Sequence, residues 1–192
     1  MRIGLYGGSF DPVHAGHRHV AETALKRLGL DRVWWIVTPG NPLKSRRPSD
    51  RRARLAAMGA QVRHPAMEVT DIDAAIGTRY TIDTIRFLRK RCPGVLFVWV
   101  MGADSLRGFD QWRYWREIAR RIPIAVIDRP GYTLAALSSR MARTFAASRL
   151  PAESARGLAR RTAPAWVFLF GRRSSLSSTA LRNKSVRRAG RH

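Results

Sequence analysis

Two histidines three residues apart, His14 and His17, close the run Gly7-Gly8-Ser9-Phe10-Asp11-Pro12-Val13-His14-Ala15-Gly16-His17. Imidazole nitrogens donate hydrogen bonds to anionic oxygens, and protonation adds charge where it is needed. The run follows an apolar segment, Ile3-Gly4-Leu5-Tyr6, that reads as a buried strand. It precedes Val20 to Leu28, where apolar residues recur at helical spacing. A strand, a glycine turn and a helix start together suit a phosphate. The turn lets the backbone approach an anion, and the free N–H groups of the first helical turn point at it. Three of the five histidines (His14, His17 and His19) lie in this short stretch. The plain alternative is a turn that merely closes a βα unit, with structural histidines. Neither G-x-x-x-x-G-K-[ST] nor G-x-G-x-x-G occurs here, so the simple glycine-spaced phosphate loops do not account for it.

Four further groups could do chemistry. Pro39-Gly40-Asn41-Pro42-Leu43-Lys44 leaves the second expected strand, where Lys44 would offer a mobile cation to a phosphate chain. Thr78-Arg79-Tyr80-Thr81-Ile82-Asp83-Thr84 opens a helix. Thr81 is either an ordinary cap or, with Tyr80, a source of backbone N–H groups for a small carboxylate. Asp104, in Met101-Gly102-Ala103-Asp104-Ser105, either caps a helix or accepts ribose hydroxyls at a strand end. Trp112 nearby is either core or a stacking surface for an aromatic ring. Ser177-Ser178-Thr179-Ala180-Leu181-Arg182 begins a last helix. The hydroxyls of Ser178 and Thr179 either cap it or hold β- and γ-phosphates, with Arg182 one turn on.

The elements that would position these groups alternate. Strands are expected at Arg2–Tyr6, Val33–Val37, Met67–Thr70, Val95–Val100, Ile124–Ile127 and Trp166–Phe170. Helices are expected at His17–Leu28, Asp50–Arg63, Thr81–Arg91, Thr133–Ala147 and Thr179–Arg188. Such alternation predicts an α/β fold: a Rossmann-like, doubly wound parallel sheet with helices on both faces. Ligands of such sheets sit at the carboxyl ends of the strands, which is where the histidine turn falls. Residues 1–192 are expected to form a single domain. Arg129-Pro130-Gly131 marks a turn after the fifth strand. The Ala-, Arg- and Ser-rich stretch from Ser138 to Arg161 is expected to pack loosely at an edge. The tail from Arg182 to His192 is basic and without acid, and is expected to fray.

Composition narrows the classes. The apolar share of 45% suits a globular chain. The longest apolar stretches, Val95 to Met101 and Trp166 to Phe170, are strand-sized and far too short to span a bilayer. No secretory pattern opens the chain, so a cytoplasmic location is expected. One cysteine, Cys92, excludes an internal disulfide and a cysteine metal cage. The net charge of +23 attracts anions. Nearly all of it is arginine, with lysine only at positions 26, 44, 90 and 184. No basic block is interleaved with stacking aromatics, so a dedicated nucleic-acid-binding protein is the weaker reading.

His14-Ala15-Gly16-His17 resembles the [HT]-x-G-H signature of the nucleotidyltransferase superfamily, and Ser-Ser-Thr-x-x-Arg182 echoes its second mark. With Pro-Gly-Asn-Pro-Leu-Lys44, Tyr80-Thr81-Ile-Asp-Thr and Gly-Ala-Asp104-Ser with Trp112, in that order, nearly the whole chain is similar to the bacterial nicotinate-nucleotide adenylyltransferases. That resemblance implies transfer of AMP from ATP to nicotinate mononucleotide, giving deamido-NAD and pyrophosphate, with Mg²⁺ as cofactor and no protein metal ligands. It implies that Gly7, Gly8, Ser9 and Phe10 line the ATP site and that His14 and His17 contact ATP phosphates. It further implies that Lys44, Ser178, Thr179 and Arg182 hold the triphosphate. Asp104 would meet ribose, and Tyr80, Thr81 and Trp112 would form the nicotinate pocket. Ser9 stands where threonine is common, and the basic excess is larger than such a family needs. A sister adenylyltransferase using nicotinamide mononucleotide or pantetheine phosphate is the nearest alternative. No cytosine pocket is legible, and no sequence feature specifies an oligomeric state.

Overall fold

The computed structural model describes residues 1–39 and 49–170. Among them lie strands β1 (Arg2–Gly8), β2 (Arg32–Val37), β3 (Met67–Thr70), β4 (Leu96–Gly102), β5 (Ile124–Ile127), β6 (Arg149–Leu150) and β7 (Trp166–Leu169). The helices are α1 (Ala15–Arg27), α2 (Arg51–Gln61), α3 (Ile72–Ala75), α4 (Thr81–Arg91), α5 (Ala103–Arg107), α6 (Trp115–Arg121), α7 (Thr133–Leu137) and α8 (Arg140–Thr144). Turns of 3-10 helix add Phe109–Gln111, Ala146–Ser148 and Ala152–Arg160.

The strands form a seven-stranded sheet in the order β3-β2-β1-β4-β5-β7-β6, and every pairing is parallel. Strand order reverses between β1 and β4, which opens a crevice at their carboxyl ends. Alternate residues of each strand feed two cores. Ile3, Leu5, Phe97, Trp99, Met101, Ile124, Val126, Trp166 and Phe168 pack on one face, under α4 to α8. Val98, Val100, Ala125, Ile127, Val167 and Leu169 pack on the other, under α1, Met58 of α2 and the Ala152–Arg160 turn. Burial on both faces explains why these strands read as unbroken apolar runs.

Three expectations need correction. Helix α1 begins at Ala15, two residues early, because His14 itself takes the cap position. The expected helix Thr133–Ala147 is broken into α7 and α8. The Ser138 hydroxyl donates back to the Leu134 carbonyl (2.8 Å), and the Ser139 hydroxyl accepts from the Ala142 N–H to start a new helix. The segment expected to pack loosely after Ser138 buries Met141, Ala142, Phe145, Ala155 and Leu158 and supplies edge strand β6. Its apolar spacing was masked by intervening arginines. The expected helix Thr179–Arg188 lies outside the described residues.

Candidate active site

The turn after β1 is shaped by close packing. A Cβ on Gly7 would come within 2.7 Å of the Trp99 ring, and one on Gly8 within 2.9 Å of the Phe10 ring. Phe10 is itself left-handed, at φ 46°. Its side chain is 2% exposed and packs edge-on against Tyr6 and His17 at centroid distances of 5.3 and 5.1 Å. Its ring is therefore core, and only its backbone is left to meet a ligand.

His14 and His17 occupy the cap and the third position of α1. The Nδ1 of His14 accepts the Gly16 N–H (3.0 Å), and the Nδ1 of His17 accepts the His14 N–H (3.3 Å). The two rings stack at 3.8 Å. An Nδ1 that accepts from a backbone N–H cannot carry the proton, so each neutral ring holds it on Nε2. That tautomer follows from the hydrogen-bond pattern. Burial first, then the charge of Arg129, holds His14 down at about 4, with Asp104 opposing. His14 is thus a neutral donor at pH 7 in this structure. Its Nε2 is buried with no hydrogen-bond partner among the described residues. Such an orphaned donor fits an acceptor brought by a ligand.

Asp104 stands at the carboxyl end of β4, in the first turn of α5. It does not cap that helix: Gly102 holds the cap position, with no side-chain bond. One carboxylate oxygen, Oδ2, accepts from Arg129 Nη1 at 2.9 Å. The other, Oδ1, is buried without a partner among the described residues. Gly102 leaves room for this pair, since a Cβ there would sit 2.4 Å from Asp104 Oδ1 and 2.8 Å from Arg129 Cδ. The same two charges act on buried Tyr6, whose hydroxyl is raised by burial first and by Asp104 next, with Arg129 opposing. His14, Tyr6, Asp104 and Arg129 are therefore one electrostatic group at the crevice.

Farther along the crevice, Tyr80 caps α4 without a side-chain bond. The Tyr80 N–H donates to Thr78 Oγ1 (3.0 Å), so it is already engaged, and the N–H groups of Thr81 and Ile82 in the first turn have no intrahelical partner. Trp112 is half-buried, tilted on Phe109 at 5.2 Å and edge-on to Trp99 at 6.0 Å. The Arg113 guanidinium lies 4.6 Å over the Tyr80 ring and 5.1 Å from that of Tyr114, bringing the Tyr80 and Trp112 segments together.

Lys44, Ser178, Thr179 and Arg182 lie outside the described residues. Two site-bordering arginines escaped the sequence reading. Arg129 was visible only as a turn marker, although its place directly after β5 was a usable signal. Arg54 carried no signal at all, being one arginine among many on a polar helix.

The cytidylyltransferase-like family profile matches residues 5–184. A Methylorubrum extorquens protein described as a probable nicotinate-nucleotide adenylyltransferase is 57% identical over 187 residues, covering 96% of this chain and all of that one. A Brucella abortus protein of the same description is 55% identical over 192 residues, covering 98% of each. The chain belongs to this family. Among solved structures, the Plasmodium falciparum nicotinic acid mononucleotide adenylyltransferase complexed with NaAD has a TM-score of 0.73 at 15% identity. The match covers 95% of this chain and 82% of that one. The likeness extends the shared fold across a wide sequence distance. No helix among the described residues is long and apolar enough to cross a membrane.

Proposed function

We propose that this chain is a nicotinate-nucleotide adenylyltransferase that moves AMP from ATP to nicotinate mononucleotide by direct in-line attack. The observation that carries the reading is the pair of stacked histidines with both Nδ1 atoms taken by backbone N–H groups. With both Nδ1 atoms taken, Nε2 is the nitrogen that carries the proton in each neutral ring. A phosphate oxygen of nicotinate mononucleotide attacks the α-phosphorus of ATP. The bond from that phosphorus to the bridging oxygen breaks, and pyrophosphate leaves with the electron pair. No proton has to be removed from the nucleophile, so no general base is required.

The protein's task is position and charge. His14 and His17 donate to the α-phosphate region as charge builds. Gly7, Gly8, Ser9 and the Phe10 backbone line the triphosphate, and Lys44, Ser178, Thr179 and Arg182 supply cations and hydroxyls from segments outside the described residues. Asp104, held by Arg129, turns its unpartnered Oδ1 to ribose hydroxyls. Trp112 and Tyr80 stack on the pyridine ring, and the Thr81 N–H receives its carboxylate. A bound Mg²⁺ would supply charge neutralisation on the departing pyrophosphate. Phosphate oxygens and water would make up most of its shell, as suits a cation that dehydrates reluctantly.

The test is pyrophosphate release from ATP and Mg²⁺ with nicotinate or nicotinamide mononucleotide offered separately. The nicotinate form is expected to be strongly preferred. Release with neither would reopen the acceptor, with pantetheine phosphate the next candidate.

A further inference from the structure

Arg54, on α2, is 3% exposed, and its described hydrogen bonds go to backbone carbonyls rather than to a carboxylate. Its Nη1 donates to the carbonyls of Ser9 (2.7 Å) and Thr38 (2.9 Å), and its Nε to that of Ser49 (3.1 Å). These carbonyls belong to the glycine turn after β1, the end of β2 and the entry to α2. A second tie runs alongside: the Ser49 N–H and hydroxyl donate to the two carboxylate oxygens of Asp11 (3.1 and 2.8 Å). We infer that Arg54 is a positioning residue for the ATP site, fixing the Ser9–Phe10 peptide of the glycine turn relative to β2 and α2.

A left-handed non-glycine residue such as Phe10 persists only where its surroundings over-determine it. The bond to the Ser9 carbonyl fixes the peptide plane directly before it. A guanidinium reaches three carbonyls in different directions through one planar fork, which an ammonium cannot reproduce. The site gains a preset backbone in place of one that must be ordered by substrate, and sub-ångström placement matters to transfer chemistry. This inference rests on reading the turn as the ATP phosphate site.

Steady-state kinetics and equilibrium ATP binding of Arg54→Lys and Arg54→Ala decide it, with Arg51→Ala, an exposed neighbour on the same helix, as control. Arg54→Lys is expected to raise KM and Kd for ATP about tenfold and to lower kcat, leaving KM for nicotinate mononucleotide within about twofold. Arg54→Ala should be about 10²-fold worse in kcat/KM for ATP. If it does not fold, Arg54→Lys alone decides. Wild-type constants in folded Arg54→Lys would overturn the inference, as would a fall in kcat with both KM values unchanged, the mark of a merely smaller folded fraction. If the wild type turned over no mononucleotide, the functional reading would fail separately. ATP binding weakened in Arg54→Lys would still uphold Arg54, and wild-type protein that bound no ATP would sink both.

Discussion

The two ends of the crevice are built differently. At the β1 turn the functional atoms are fixed by backbone: His14 and His17 are tied to main-chain N–H groups, Phe10 is buried, and Arg54 holds main-chain carbonyls. At the α4 and α6 end, the surfaces are side chains. Trp112 is half-buried, Tyr114 is 53% exposed, and Arg113 rests between two tyrosine rings. On the proposed function, the contrast follows from the work each end does. Transition-state stabilisation needs donors that do not reorganise as charge develops, whereas discrimination between similar rings is served by apolar contact and one hydrogen-bond donor.

The contrast can be broken most sharply at the fixed end. His17→Ala should lower kcat by about 10²-fold or more, the scale of losing one preorganised donor, with KM for nicotinate mononucleotide little changed. A folded variant with wild-type kcat would remove His17 from the chemistry. At the other end, Trp112→Ala should raise KM for the mononucleotide roughly tenfold, within the range of an aromatic contact, while KM for ATP stays put. Equal increases in both would erase the division between the ends.

A smaller effect concerns pH. The pKa of His14 is held near 4 in the folded protein, against about 6.5 when unfolded. Between those values the unfolded state binds more protons, so stability falls as pH drops from about 6.5 toward 4. Denaturant titrations at pH 7 and pH 5 should show wild type losing about 2 kcal/mol more than His14→Asn, which keeps a capping side chain without titrating. Parallel losses would mean that His14 is not kept neutral by burial. The smallest effect belongs to Glu117, which accepts from Arg86 and Arg121 at the surface. Glu117→Gln should move Tm by no more than about 2 °C and leave KM for the mononucleotide within twofold; a larger kinetic change would make that network part of the pocket.

Legibility followed the same division. Strands such as Val95–Val100 and Ile124–Ile127 were readable because a parallel sheet buries both faces, and the histidine turn was readable because histidine is rare in this chain. The break between α7 and α8 turned on two serines whose hydroxyls competed with the helix, a choice that periodicity does not record. The capping role weighed for Thr81 failed because Thr78, outside the helix, engages Tyr80 instead. Arg54 was hidden by composition: where arginine dominates the surface, a buried one looks like its neighbours until the carbonyls around it are seen.

The central claim is direct adenylyl transfer to nicotinate mononucleotide, and α-labelled ATP tests it most directly. With Mg²⁺ and nicotinate mononucleotide, the label should move into deamido-NAD with an equal amount of pyrophosphate released, and none should attach to protein when the mononucleotide is omitted. Label that stays in ATP, or that accumulates on the protein without acceptor, would contradict the account.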